Sequence, residues 1–324
     1  MRRRQFLSAS VATAAALSMS ARVSAQPQDW PSRPVRIIAP SAPGGSLDIL
    51  SRMFGRGLAE RLGQPFPVEN RAGSGGNIGY EAVAKSRPDG YTMMIASDPL
   101  AVNPSLFGNL PFDPLRDFAP IIMIATLSQV LAVHPRVPAA SFAEFVSLAR
   151  SRKHGLTVGT SGNGSPGHLA VALMNQAGIP LVHVPYRGGG VAVVDVVAGQ
   201  IDATIVTLPA TLGFIKQQRL RALAVTSSKR SRFAPDLPAM KETVPAVVVD
   251  SWQAFFAPAG TPRDIIQRLN TELAALLRTR EITEAFETQA FEAGGGSPED
   301  LGKFLREEIS RWAPIIKAAG IRAD

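Results

Sequence analysis

Five short stretches hold the residues that could do chemistry, and they offer backbone amides, hydroxyls and one arginine rather than nucleophiles or metal ligands. The first is "PSAPGGS", Pro40 to Ser46, which follows the β-rich run Val35 to Ala39 and leads into an apolar helical pattern, Leu47, Leu50, Phe54 and Leu58. Unpaired N–H groups converge at a helix start and the helix dipole adds partial positive charge, so such a junction can hold an anion. Pro43 removes a competing donor, Gly44 and Gly45 let a ligand approach the backbone, and Ser46 can cap or donate. A plain tight turn would use the same residues. Asp48 reads as a dipole-stabilising residue of the first turn.

The second stretch, "VGTSGNGSPGH" from Val158 to His168, presents Thr160, Ser161, Gly164, Ser165 and His168 around a formal G-x-G-x-x-G. A dinucleotide site needs an acid about 20 residues on to hold the ribose. The region around Arg187 has none, and Pro166 sits inside the turn. What remains is a cradle for a small polar ligand. In "HVPYRGGG", Tyr186 and Arg187 leave another strand, and Arg187 can pair with a carboxylate or simply be solvated. In "ASDPLAVNP", Ser97 and Asp98 stand at a strand exit, where Asp98 before Pro99 either caps a helix or faces a ligand. "VENRAGSGGNIG" opens a further helix, with Asn77 as its expected cap.

Enzyme signatures are missing from the sequence. There is no cysteine, no G-x-S-x-G around any serine, no Walker A spacing, and the four histidines show no metal spacing. The reading is of a non-enzyme with no cofactor and no metal.

The elements that must position these stretches are short β-rich runs alternating with helical patterns, the mark of α/β sheets. The strands expected are Val35–Ala39, Phe66–Glu69, Tyr91–Ala96, Gln129–Val133, Leu156–Gly159, Leu181–Val184, Ile201–Val206, Leu220–Thr226 and Gln253–Ala257. Ser141 with Glu144, Thr261 with Asp264 and Ser297 with Asp300 have capping spacing, Gly63 should end the first helix, and Pro314 should end or kink the last. With 324 residues the chain suits two domains of ordinary size. No linker separates them, so the chain is expected to cross from one lobe to the other near Ala125 and return within Ser227 to Asp250.

Residues 1–25 read as a cleaved export leader: three arginines, an apolar run from Val11 to Leu17 too short to span a bilayer, and Val23-Ser24-Ala25 at the cleavage site. Arg3-Arg4-Gln5-Phe6-Leu7 resembles the twin-arginine pattern, with Arg2 where Ser or Thr is usual. The leader holds four of the 34 basic residues and no acid. The remainder therefore has 30 basic against 26 acidic residues, about +4 in place of +8. That balance is too mild for nucleic-acid binding and suits a small anion.

Taken in order along nearly the whole exported chain, "WPSRPVRIIAPSAPGGSLDILSR", "VENRAGSGGNIG", "PDGYTM", "HVPYRGGGVAVVDVVAGQIDA", "LRALAVTS", "GTPRDIIQRLNTEL" and "RWAPIIKAAGI" resemble the tripartite tricarboxylate transporter receptor family, the Bug-type periplasmic solute-binding proteins. The resemblance implies a two-lobed, hinged α/β fold with a Venus-flytrap cleft, each lobe a mainly parallel sheet flanked by helices. One lobe would hold residues 26–124 with 250–324, the other 125–249. It implies a monomer that captures a small organic carboxylate in the periplasm, with a carboxyl group held by the loop Pro43-Gly44-Gly45-Ser46 partly through water, and delivers it to the transporter's membrane subunits. A ligand-sensing receptor for a membrane signalling protein and an exported α/β hydrolase are the other readings; the hydrolase lacks a nucleophile. Two departures stand out. Arg187 occupies a position where the family usually has lysine, and Thr207 one where it often has an acid or amide. Asp98 likewise stands where the family more often carries a neutral residue.

Overall fold

The computed structural model describes residues 30–323; the leader expected at 1–25 lies outside the described residues. Strand β1 (Arg36–Ala39) buries Ile37, Ile38 and Ala39 and stops at Pro40. Helix α1 (Ser46–Leu62) follows, because Leu50, Phe54 and Leu58 recur on one face and are fully buried. It ends at Gly63, whose φ of 70° is the left-handed cap expected there.

The same alternation continues through β2 (Val68–Asn70), α2 (Asn77–Ala84), β3 (Thr92–Ser97), α3 (Pro99–Leu106) and the sixteen-residue β4 (Phe118–Val133). Next come α4 (Phe142–Ser151), β5 (Leu156–Thr160), α5 (Pro166–Gln176), β6 (Leu181–Pro185), α6 (Gly189–Val197), β7 (Ala203–Thr207), α7 (Leu208–Lys216) and β8 (Arg221–Val225). The chain closes with β9 (Asp250–Pro258), α8 (Arg263–Leu276), α9 (Arg280–Gln289), β10 (Glu292–Gly295) and α10 (Pro298–Ala319).

The strands lie in the order β2-β1-β3-β9-β4-β7-β5-β6, with β8 and β10 also paired to β4. The expected α/β architecture stands, and the sheet is mixed. Both edges are parallel, β2-β1-β3 and β7-β5-β6, while every pairing of β4 and β9 is antiparallel. Strand β4 joins the two parts. It pairs with β9 as far as Ser128↔Asp250 and changes partner at Gln129, which faces Thr207 of β7. Buried side-chain bonds mark that change: Ser128 Oγ lies 2.7 Å from Ser227 Oγ, and Gln129 Nε2 donates to Ser251 Oγ at 2.9 Å.

Separate apolar cores sit on the two parts. Ile37, Leu50 and Phe54 pack with Phe255 and Phe286, and on the opposite face Tyr80 and Trp252 pack with Leu305. Beyond Gln129, Phe142, Phe145, Leu156 and Met174 form another core, which Trp312 and Ile316 of α10 join. Helix α10 thus touches both parts.

Local expectations met tertiary forces at several points. Ser141 and Ser297 accept the predicted N–H bonds from Glu144 and Asp300. Thr261 does not cap α8; its hydroxyl donates to Pro258 O. Pro314 does not end α10, which runs on to Ala319. The first half of β4 escaped the sequence reading because it is buried on both faces and has no alternation; Pro120 is accommodated where the register with β9 shifts. Strand β10 escaped it because its pairing depends on a missing side chain. A Cβ on Gly294 would lie 2.6 Å from Met123 O.

Candidate functional site

A cleft of about 580 Å³ opens where β3, β5 and β6 end, the place where open α/β sheets hold ligands. Of the residues singled out in the sequence, it brings together Ser97, Asp98, Ser161, Gly164, Ser165, Tyr186 and Arg187. Pro43, Gly44, Gly45, Ser46, Thr160 and His168 are not on its lining.

The loop from Ser161 to Ser165 is held from beneath. Ser165 caps α5 by accepting His168 N–H at 3.3 Å, and Gly164 N–H donates to His168 Nδ1 at 3.2 Å. The His168 ring stacks on His183 at 3.6 Å, and His183 Nε2 lies 2.7 Å from Thr160 Oγ1. Burial first, and then the neighbouring His183, push His168 down to about 3. The ring is therefore neutral, and the Gly164 N–H that points at Nδ1 assigns its one proton to Nε2. Thr160 is fully buried, so it and His168 support the loop from below. The loop reaches across to α3: a Cβ on Gly164 would lie 2.3 Å from Leu106 Cδ1.

At the β6 exit the Tyr186 hydroxyl donates to Asp195 Oδ2 at 2.7 Å. Burial and then Asp195 hold the phenol up at about 12, so it offers its ring to the cleft and keeps its proton. Arg187 beside it is exposed, and no carboxylate pairs with it among the described residues.

Asp98 corrects an expectation. Helix α3 does begin at Pro99, but the Asp98 side chain makes no cap hydrogen bond. Its carboxyl is half-buried in the cleft wall, where its own N–H and that of Trp252 favour the charged form. Burial raises its pKa well above the usual carboxylate range, and Glu308 and Asp250 push the same way. Ser97 hydrogen-bonds the buried Tyr80 hydroxyl, whose pKa burial also raises.

The cleft includes residues the sequence reading passed over: Ser74, Gly75, Asn103, Leu106, Phe107 and Asn163. Their signal was the run Gly73 to Gly76, in which all four residues have positive φ. Asn77 does not cap α2, which starts after Gly76; its Oδ1 accepts from Asn103 Nδ2 at 2.7 Å, and Asn103 also donates to Gly75 O.

The Pro43 to Ser46 junction lies one side chain away. Gln253 pairs with Ser97 across the β3–β9 ladder and donates to Ser46 Oγ at 2.8 Å. Gly44, with φ of 84°, gives its N–H to Asp48 Oδ2 at 2.9 Å; Asn70 and Arg52 hold the other carboxylate oxygen. The Arg52 and Gly44 hydrogen bonds bring Asp48 down to about 2. Two buried atoms here, Ser41 Oγ and Gln253 Oε1, have no hydrogen-bond partner among the described residues. With the first amides of α1, they are the junction's unused polar capacity.

Comparison with known proteins shows which family the chain resembles. The description "Tripartite tricarboxylate transporter family receptor" matches residues 50–321. Protein BugT of Bordetella pertussis is 37% identical over 297 residues, 90% of this chain and 91% of its own. Among solved structures, Rhodopseudomonas palustris Rpa4515 with adipate superposes with a TM-score of 0.80 at 37% identity, covering 90% of this chain and 99% of its own. MatC from Rhodopseudomonas palustris with bound malate gives 0.76 at 28% identity over 89% of this chain and 100% of its own.

Proposed function

The chain belongs to the tripartite tricarboxylate transporter receptor family of solute-binding proteins, and from that premise we propose that it captures a small organic carboxylate in the cleft between the β3 and β6 exits. One observation carries the assignment to this cleft: Arg187 stands exposed beside lining hydroxyls, with no carboxylate paired to it among the described residues, facing a space of the volume small ligands occupy. Guanidinium matches a carboxylate through two parallel N–H bonds, a geometry lysine does not offer. The solved relatives carry adipate and malate, both dicarboxylates.

Capture without chemistry suits a lining of small hydroxyls, side-chain amides and one guanidinium. Two lobes, 26–124 with 250–324 and 125–249, would close on the ligand by bending at the β4 partner change; the separate cores on either side support that division. The chain would work as a periplasmic monomer after loss of its leader and pass the ligand to membrane subunits.

Thermal unfolding against a panel of dicarboxylates and monocarboxylates tests the reading. A ligand at a hundred times its Kd should stabilise the native chain by about 2.7 kcal/mol, with no turnover. Arg187→Ala should remove most of that shift. A panel that leaves the melting temperature unmoved would overturn it.

A further inference from the structure

We propose that Asp98 carries a proton when the cleft is occupied and donates it in a hydrogen bond to the ligand, so that the solute is taken up as a carboxylate plus a proton. The inference rests on the carboxylate reading above and deepens it.

Asp98 and Arg187 line one cleft from opposite sides, and their surroundings differ in kind. Arg187 is exposed at the β6 exit. Asp98 is half-buried in the cleft wall, and three elements surround it. From α2 comes the neutral Tyr80; from β9 come Trp252 N–H and Asp250; from α10 comes Glu308, itself buried and tied to Trp312 Nε1 at 2.8 Å and to Arg311 at 3.5 Å. Its own helix α3 brings no charge. The α10 cation beside Glu308, Arg311, is paired with it, and no cation forms an ion pair with Asp98 among the described residues. The carboxyl also does not serve the helix it precedes.

An ionised Asp98 in that place would face two acids on one side and the ligand's negative charge on the other, and it would have lone pairs only. A proton relieves both conflicts. The neutral acid keeps one oxygen for the amides of Asp98 and Trp252 and turns its O–H toward the cleft, a donor that an anionic ligand can use. A carboxylic acid kept neutral by its neighbours so that it can donate is established chemistry. The pH sign follows. Affinity for a dianion should be flat below the midpoint of Asp98 in the free protein and fall about tenfold per pH unit above it.

The test uses the full exported chain labelled with carbon-13 at aspartate carboxyls, with Asp98→Asn to assign the resonance and adipate as the probe. At pH 7 the Asp98 carboxyl should show the protonated shift in the adipate-saturated protein, and its midpoint should rise on adding adipate. By calorimetry Asp98→Asn, whose amide donates at every pH, should bind adipate within about threefold of wild type at low pH and lose the decline above the midpoint. Asp98→Ala should bind about tenfold or more weakly. An ionised Asp98 in the complex at pH 7 would overturn the proposal, as would an Asp98→Asn variant no better than Asp98→Ala. Tighter binding of 2-aminoadipate with Asp98 ionised would also overturn it, in favour of a ligand ammonium as the partner. Failure of adipate and all other dicarboxylates to bind would sink the receptor reading; the free protein then still judges Asp98, because an ordinary midpoint near 4 removes the proton.

Discussion

At the start of α1 the chain satisfies Gly44 N–H with a carboxylate, and at the start of α5 it satisfies Gly164 N–H with an imidazole. The two junctions share one design. Each follows a strand, each has glycine at positive φ, 84° and 69°, and each glycine donates to a side chain four residues on, Asp48 or His168. They differ in what lies across from them. A Cβ on Gly44 would meet nothing within 4 Å, whereas one on Gly164 would collide with Leu106 of α3. Glycine at the first junction answers to backbone conformation alone, and at the second also to the approach of two sides of the cleft.

The largest effect that could break this comparison comes from Gly164→Val. The substitution adds a left-handed penalty of about 1–2 kcal/mol to displacement of Leu106, so about 3 kcal/mol of stability should be lost. Denaturant unfolding measures the loss. Because the loop must also lift off α3, ligand affinity should fall even where the variant remains folded. A loss under 1 kcal/mol with unchanged affinity would show that the contact with Leu106 has no role.

The next effect depends on the acceptor. His168 takes a proton near 6.5 when unfolded and near 3 when folded, so between those values the unfolded chain holds more protons. Stability should therefore fall as the pH drops from about 6.5 towards 3, by on the order of 3 kcal/mol. Asp48 works in a lower window: its folded value near 2 lies below the ordinary 3.8, and its contribution is lost only as the pH falls through that interval. Stability curves of wild type and His168→Gln, compared between pH 7 and 4, should converge as the pH falls. Parallel curves would mean that His168 does not titrate as its burial demands.

How far the sequence announces all this depends on whether the cause is local. Leu50, Phe54 and Leu58 mark α1 by spacing alone, and Ser297 with Asp300 marks the start of α10, since each signal acts within a turn or two of chain. Asp98 shows the limit. Asp-Pro is a sound cap motif, yet the carboxyl makes no cap bond, and the groups that set its state, Trp252 N–H and Glu308, come from more than 150 residues away, which no local pattern contains. The first half of β4 fails for a related reason: burial on both faces erases the alternation that would have shown it. At the cleft, Ser161, Gly164 and Arg187 were legible as strand-exit residues, while Asn103 sits on a helix and Phe107 just past its end, and only the tertiary fold decides where that helix lies.

The smallest effect sharpens the comparison within one junction. Gly44 and Gly45 are neighbours and look equivalent in the sequence. Only Gly44 is left-handed; Gly45 has φ of −75° and ψ of 165°, ordinary extended backbone, and a Cβ there would meet nothing closer than Ala42 O at 3.4 Å. Gly44→Ala should cost about 1–2 kcal/mol, because every other residue pays for positive φ and the Asp48 bond fixes the turn in that state. Gly45→Ala should lie within about 0.5 kcal/mol of wild type, with reduced freedom of the unfolded chain offsetting the mild contact. Paired melting curves decide it. Equal losses at the two positions would mean that the turn tolerates a side chain at positive φ, and that glycine stands at 44 for the approach of a ligand to the backbone instead of for its conformation.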